Sequence, residues 1–285
     1  MKNKIINLAI EQMKSDKINE IFRQGPFFVE YFKVFRENKP FDKNIINSIQ
    51  CSLEINDVIN LSNTLISKFE KKTDILSRND IKSDIGLIIF IGDGSIDGHS
   101  IFLNNSTYVF IDIYATISRS NKNYDLEAFL SHEIMHAVHY DLNKEFYPEN
   151  YNLTEDKYLK TLIVEGMATY MSISLFGISE NSAYWFGLLA KHEINEWVYN
   201  CEIMKTNIGI NLKELISDSK FDKNIYDKLF CIIKSENFTS YRIGYYYGCQ
   251  IVKLIYFENS INKVLRLGFN DIKKYINAYF KIKIL

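Results

Sequence analysis

Up to about residue 80, apolar side chains recur with the three- and four-residue spacing of a helix. Such stripes cover residues 5–13, 27–35 and 45–71, and each of them predicts a helix. Gly25 is the predicted end of the first helix, and Pro26 is the predicted start of the second, because proline is tolerated in the first turn of a helix. Residues 1–82 are therefore expected to form a helical N-terminal region.

A second pattern occupies residues 86–113, where continuous apolar runs replace the helical spacing. Residues 86–91 and 107–113 predict strands buried on both faces, and residues 101–103 predict a shorter strand. The intervening segment, residues 92–100, spaces its aspartates like the start of a calcium-binding loop. Asn104 stands where such a loop needs a bidentate glutamate, so a hairpin loop is predicted instead.

Helical spacing returns at residue 124 and continues to the end of the chain. Asp125 is a predicted N-cap for a helix that runs to about residue 140. Thr154 is a predicted N-cap for a second helix, which ends at Gly177, and a third helix is expected over residues 180–199. The pattern predicts an α+β fold. A small mixed sheet would lie beside a helix pair within residues 83–285, with helical parts before and after it.

Composition and charge narrow the class of protein. The chain has 285 residues, of which 47% are hydrophobic and 24% charged, as in an ordinary globular protein. A net charge of −1 and the lack of a basic stripe argue against nucleic acid as a partner. The four cysteines are widely spaced, which favours reduced thiols. No apolar stretch is long enough to span a bilayer, so a cytoplasmic location is expected.

The strongest chemical signal is the segment HEIMH, residues 132–136. On a helix, His132 and His136 lie one turn apart on the same face, where both imidazoles can bind one metal ion. Zinc accepts such ligands and keeps a position open for water in catalytic sites. Glu133 is placed to accept a proton from that water. A chance match is the alternative, but the apolar neighbours of this segment fit a helix buried beneath a cleft.

A third metal ligand is expected at Glu165, within the segment VEGMATY. Its neighbours Leu162, Ile163, Met167 and Met171 are apolar, so the pattern places a carboxylate on a buried helix. A buried carboxylate needs a metal ion or a partner of opposite charge. An ordinary ion pair is the alternative.

HEIMH followed by VEGMATY resembles the gluzincins, zinc peptidases whose third ligand is a glutamate on a second helix. The gap between His136 and Glu165 is longer than in thermolysin-like enzymes. It is closer to that of the YjaZ-like domain, a bacterial group of predicted zinc proteases. That group also has a late helix of the type G-Y-x-x-G-[YC]-x-I-V, which residues 244–252 match. The resemblance covers roughly residues 85–255, and it implies a zincin-like fold.

The late helix offers a hydrogen-bond donor for the oxyanion of a tetrahedral intermediate, a role that a tyrosine hydroxyl has in gluzincins. Tyr245 is the first choice for this role by position, and Tyr246 is the second. Core packing is the alternative for such a tyrosine stripe. Arg242 and Tyr246 share this face and are predicted to contact the substrate. Arg242 could hold a substrate carboxylate, although an ordinary surface arginine is the alternative.

Together these residues predict a zinc-dependent peptidase of the gluzincin type that acts on peptide or protein substrates. A metal-activated water would attack the peptide bond, with Glu133 as the general base. Two alternatives stay open. The chain could be a metal-stabilised binding or regulatory module without catalysis, against which Glu133 argues, or it could be a non-peptidase hydrolase built on the same metal site.

Overall fold

The computed structural model describes residues 4–14, 26–120, 123–231 and 238–281. Contacts within the chain form two compact units, Met1–Asp141 and Leu142–Leu285. The first unit holds a small mixed sheet and several helices, and the described part of the second is helical. The predicted α+β class, with a small sheet and helical N- and C-terminal parts, is confirmed.

The first unit contains four strands and six described helices. The strands are β1 (Lys4–Asn7), β2 (Ile85–Phe90), β3 (Gly98–Leu103) and β4 (Ser106–Asp112). The helices are α1 (Ala9–Lys14), α2 (Pro26–Phe35), α3 (Lys43–Ser52), α4 (Ile55–Arg78), α5 (Ile113–Ser120) and α6 (Leu126–Leu142).

The sheet has the strand order β1-β2-β4-β3. Strands β1, β2 and β4 are parallel, and β3 pairs antiparallel with β4. Every residue of β2 and β4 is buried, as their continuous apolar runs predict. Strand β3 lies beyond β4 at the side of the sheet and is only partly buried.

The first predicted helix is wrong in its N-terminal half. Residues Lys4–Asn7 form strand β1, with Ile5 opposite Leu87 and Ile6 opposite Ile88 of β2. Five apolar positions over nine residues fit a helical face, but they also fit a short β-branched strand followed by a turn of helix. Pairing with β2 favours the strand, because it satisfies backbone groups at that side of the sheet. Gly25, the predicted helix end, lies outside the described residues.

The segment between β2 and β3 is not a hairpin loop, because β4 lies between these two strands in the sheet. The hairpin instead joins β3 to β4 through Asn104 and Asn105, both with left-handed backbone (φ 49° and 63°). The aspartates of the predicted loop make ion pairs: Asp93 with Arg36 at 2.7 Å and Asp97 with Arg119 at 2.9 Å.

Asp112, at the end of β4, holds the segment that follows β2. Its carboxylate accepts hydrogen bonds from the backbone N–H groups of Gly92 and Gly94, and from those of Tyr114 and Ala115 at the start of α5. Burial raises the pKa of Asp112 to about 6, against the opposing effect of these four donors.

The second unit consists of helices in its described part. They are α7 (Thr161–Phe176), α8 (Glu180–Trp185), α9 (Lys191–Ser217), α10 (Lys223–Phe230), α11 (Ile243–Glu258), α12 (Ile261–Val264) and α13 (Phe269–Phe280). A π-helical segment, Asp156–Lys160, leads directly into α7. Helices α7 and α11 pack against each other at Gly166 and Gly248, where a Cβ on Gly166 would lie 2.1 Å from the carbonyl carbon of Gly248.

Helix boundaries in both units differ from prediction where the backbone leaves the helical region. The stripe over 45–71 is divided into α3 and α4, because Leu53 is extended (φ −95°, ψ 138°). The expected helix over 180–199 is divided into α8 and α9, because Phe186 and Gly187 are left-handed (φ 51° and 74°). Thr154 is not an N-cap, since the chain is already helical there. Gly177 does end α7 with left-handed backbone, as predicted.

Two observations concern the described residues as a whole. Each of the four cysteines is a free thiol in the structure. Within residues 4–14, 26–120, 123–231 and 238–281, no helix combines the length and the apolar character that crossing a membrane requires.

Candidate metal centre

Helix α6 carries HEIMH and is almost entirely buried. The Asp125 side chain caps it, accepting from the backbone N–H of Ala128 at 3.0 Å. In the first turn of α6, Glu127 pairs with Lys68 and Lys72 of α4, and Lys72 is itself buried. The predicted cap is confirmed, and the ion pairs anchor the start of α6 to the longest helix of its unit.

The two histidines of the motif converge on one point, as their i, i+4 spacing predicts. The Nε2 atoms of His132 and His136 lie 2.9 Å apart, and their rings are nearly perpendicular at 86°. His132 is buried and His136 is partly exposed. Two imidazole nitrogens aimed at one point suit a metal ion that accepts nitrogen ligands.

Glu133 lies beside His132 with 8% of its surface exposed. Strand β3 packs directly on it: a Cβ built on Gly98 would lie 2.9 Å from Cγ and 3.0 Å from Cδ of Glu133. The hydroxyl of Ser100 also donates to the Glu133 carbonyl oxygen at 3.3 Å. Because Gly98 has no side chain, β3 leaves room for the Glu133 carboxylate in this position.

His139, one turn beyond His136, is fully buried. Burial, with a smaller contribution from His136, lowers the pKa of His139 to about 3, so its imidazole is neutral at ordinary pH. It does not belong to the group of side chains that can hold a metal ion.

Glu165 lies on α7, next to the glycine that contacts α11. The side chain is partly buried, whereas most of its neighbours on this helix are fully buried. Burial raises the pKa of the Tyr226 hydroxyl of α10 to about 12, and the negative charge of Glu165 is the second largest cause of this increase. Tyr226 therefore lies near Glu165. Burial is the main cause that raises the pKa of the Tyr151 hydroxyl, and Tyr226 and Glu165 raise this pKa further. The same hydroxyl contacts the Thr161 hydroxyl at 3.2 Å, one turn before Glu165.

One ligand atom each from His132, His136 and Glu165 can be chosen so that all three lie within 4.8 Å of one another. Among the described residues, no second group of three histidine, cysteine or acidic side chains comes together in this way. Two imidazole nitrogens and a carboxylate oxygen form a donor set of the kind that catalytic zinc sites use. These residues therefore fit a zinc ion.

The predicted tyrosine helix is α11, and the residue that precedes it has an uncommon backbone conformation. Arg242 precedes it with left-handed backbone (φ 58°), and its guanidinium lies over the Tyr245 ring at 3.8 Å. Tyr245 is partly exposed, and Tyr246 is buried. The Tyr246 hydroxyl donates to the Glu202 carboxylate at 2.5 Å, which occupies it within the helical unit.

The family model described as "Predicted Zn-dependent protease (DUF2268)" matches residues 63–276. The chain belongs to this family. The match includes HEIMH, VEGMATY and the tyrosine helix, and it confirms the resemblance to the YjaZ-like zinc proteases. The comparisons found no curated protein and no solved structure that matches the chain.

Family membership gives a coarse statement of function, a predicted zinc-dependent protease. The matched region begins at residue 63, within α4, and so includes the helix whose lysines anchor α6. The first 62 residues lie outside it. They contribute β1 and the aromatic residues of α2, among them Phe28 and Tyr31, which pack against Phe90 and Phe110 of the sheet.

Sequence reasoning missed three features of these surroundings. The sequence pattern places Gly98 in a loop, although it belongs to β3 and packs on Glu133. No local sequence pattern predicts that Tyr226 lies near Glu165, because this proximity depends on how α10 packs. The surface alternative for Arg242 is wrong, since only 3% of this residue is exposed. Trp185 and Phe186, two of the three aromatic residues around Arg242, come from a distant segment of the sequence.

Proposed function

We propose that the chain is a zinc-dependent peptidase of the gluzincin type. His132, His136 and Glu165 are its metal ligands, and Glu133 is its general base. The observation that carries this proposal is the close grouping of the three ligand atoms, with Glu133 next to His132 on the same buried helix. Peptides or proteins are the substrate class, in agreement with the family description.

Zinc, when bound, supplies a Lewis acid that polarises the scissile carbonyl and acidifies water. Glu133 accepts a proton from the attacking water and delivers it to the leaving amine. The packing of Gly98 on Glu133 keeps this carboxylate in one place, so that it need not be ordered at the moment of reaction. Tyr245 donates a hydrogen bond to the developing oxyanion.

Substrate contacts by Arg242 and Tyr246 stay predictions. For Tyr246 the contact would come from its ring, because Glu202 accepts its hydroxyl hydrogen bond.

A peptide library with cleavage-site readout tests the proposal and separates it from its alternatives. The full-length protein is incubated with the library as purified, after metal removal, and after zinc is restored. Cleavage that disappears on metal removal and returns with zinc supports the peptidase. A protein that holds zinc but cleaves no peptide would favour the binding module or the non-peptidase hydrolase.

Tyr245→Phe tests the oxyanion role. We expect a loss of about 10²- to 10³-fold in kcat with little change in KM, because the hydroxyl acts mainly as charge develops in the transition state. Steady-state kinetics on a peptide found in the library measure both constants.

Tyr246→Phe is the matched control on the same helix turn. It removes the hydrogen bond to Glu202 and should lower stability by about 1 kcal/mol while leaving kcat near wild type. A large kcat defect in Tyr246→Phe, with Tyr245→Phe unaffected, would transfer the role to Tyr246.

Gly98→Ala tests how Glu133 is positioned. The new methyl group would lie under 3 Å from Glu133 Cγ and from Phe129 Cζ, so the carboxylate must move. We expect kcat to fall by roughly 10²-fold, the scale for a displacement of about 1 Å at a reacting group, while zinc content stays unchanged.

Ser100→Ala, on the same strand, is the control for Gly98→Ala. It removes a hydrogen bond to the Glu133 carbonyl and leaves the carboxylate untouched. Wild-type kcat in Gly98→Ala would show that the strand does not position the base.

A further inference from the structure

Three buried donor nitrogens of the second unit share one neighbourhood and have no acceptor among the residues that the structure describes. They are Nε and Nη2 of Arg242 and Nε1 of Trp185. The centre of the Trp185 ring lies 5.8 Å from Arg242 Cζ. Buried N–H groups are almost always paired, so a cluster of unpaired donors indicates a missing acceptor.

Aromatic rings enclose the guanidinium. Its Cζ lies 3.8 Å from the Tyr245 ring centre and 4.5 Å from that of Phe186. Cation–π contact stabilises the charge through the ring faces. It does not satisfy N–H groups that point outward in the plane of the guanidinium, so the need for an acceptor remains.

Backbone strain marks the same place. Arg242 and Phe186 both have left-handed φ angles, 58° and 51°, a conformation that is unfavourable for side chains of this size. The two residues are in contact, because the Arg242 guanidinium lies over the Phe186 ring. Strain of this kind is typical of functional sites, where surrounding structure holds it in place.

The charge balance identifies the class of ligand. A buried guanidinium is unfavourable unless an anion accompanies it, and no described carboxylate pairs with Arg242. Nε and Nη2 form the edge that binds two carboxylate oxygens side by side. A single positive charge among aromatic walls suits a singly charged organic acid better than a phosphate.

We propose that Arg242, Trp185, Phe186 and Tyr245 form a binding site for the carboxylate of an organic acid with an apolar body. A peptide can supply this group as its C-terminal carboxylate or as an acidic side chain. Because Nε and Nη2 are closed to solvent, entry requires one wall to move aside. Tyr245, which is partly exposed, is the wall that can do so by side-chain rotation. The inference concerns binding and does not depend on peptidase activity.

The tryptophans allow a site-specific test by NMR. The chain has two of them, so a ¹⁵N-labelled sample gives two indole N–H signals, which Trp185→Phe assigns. Trp197 already donates to the Tyr241 carbonyl at 2.7 Å. On titration of the zinc-loaded protein with N-acetyl-phenylalanine, the Trp185 signal should move saturably while the Trp197 signal stays. N-acetyl-phenylalanine amide, which lacks the carboxylate, should move neither.

Arg242→Met removes the charge and keeps the length of the side chain. We expect it to weaken carboxylate binding by at least about tenfold and to raise the thermal midpoint of the ligand-free protein, because an unpaired buried charge is lost. Arg266→Gln, at an exposed arginine of the same unit, should change neither property. Arg242→Lys should fold and still bind weakly, because it keeps the charge without the planar edge.

Two peptides identify the source of the carboxylate. One has a free C-terminus and no acidic residue, and the other is amidated and contains a glutamate. Movement of the Trp185 signal with either peptide supports the site and names the source. No movement with any carboxylate, equal movement with the amide, or unchanged binding in Arg242→Met would overturn it. A lower thermal midpoint in Arg242→Met, without any carboxylate response in the wild type, would instead make Arg242 a structural residue.

Discussion

Glu133→Gln is expected to lower kcat by about 10²- to 10⁴-fold, the contribution of a general base, while zinc content stays at the wild-type level. Glutamine preserves the shape of the side chain and can still hydrogen-bond to water. It cannot accept a proton, so hydrolysis loses its base and the metal ligands are unchanged. The variant also fills the same space against Gly98, so packing should be kept.

The measurement pairs initial rates on a library-derived peptide with elemental analysis of the same preparation. A matched control is Glu127→Gln, which changes an acidic residue of the same helix that pairs with Lys68 and Lys72. We expect this control to lower the free energy of unfolding while kcat stays near the wild-type value. Wild-type turnover in metal-loaded Glu133→Gln would exclude Glu133 as the base.

Gly166→Ala is expected to have the largest effect on stability. The new methyl group would overlap the backbone of Gly248, 2.1 Å from its carbonyl carbon, so α7 and α11 would have to separate. Overpacking of this kind costs roughly 1–3 kcal/mol or more, whereas the better helix propensity of alanine returns only about 1 kcal/mol. The overlap of the new methyl group with the Gly248 backbone should outweigh the gain in helix propensity, because no side-chain rotation can relieve that overlap.

Gly177→Ala provides the comparison on the same helix. That glycine has left-handed backbone (φ 69°) but no atom within 4 Å of a built Cβ, so only conformational strain of about 1 kcal/mol should appear. Denaturant unfolding at matched zinc occupancy measures both variants. A loss in Gly166→Ala no larger than that in Gly177→Ala would contradict close packing of the two helices.

Local signals in the sequence predict much of the candidate site. The i, i+4 spacing of His132 and His136 is enough to predict that their nitrogens converge, because both lie on one helix. Asp125 and Gly177 act as predicted, since capping depends on a few neighbouring residues. The buried strands β2 and β4 were recognisable from unbroken apolar runs.

Other features depend on contacts between distant segments. The motifs that contain Gly166 and Gly248 suggest no reason for their glycines until α7 and α11 are seen to cross there. The same holds for Lys4–Asn7, which a helical spacing describes well until β2 provides a pairing partner. Arg242 lies among aromatic rings and has left-handed backbone, and no periodicity in the sequence predicts such a residue.

The zinc content of the protein, purified without chelators, tests the proposed metal site most directly. We expect about one zinc per chain in the wild type, because two histidines and one carboxylate complete the protein ligands of a catalytic site. Glu165→Ala should lose the metal and Glu165→Gln should hold it weakly, whereas Glu214→Ala, at an exposed acid of the same unit, should keep it. A wild-type protein without any transition metal, or full zinc occupancy in Glu165→Ala, would contradict the assignment.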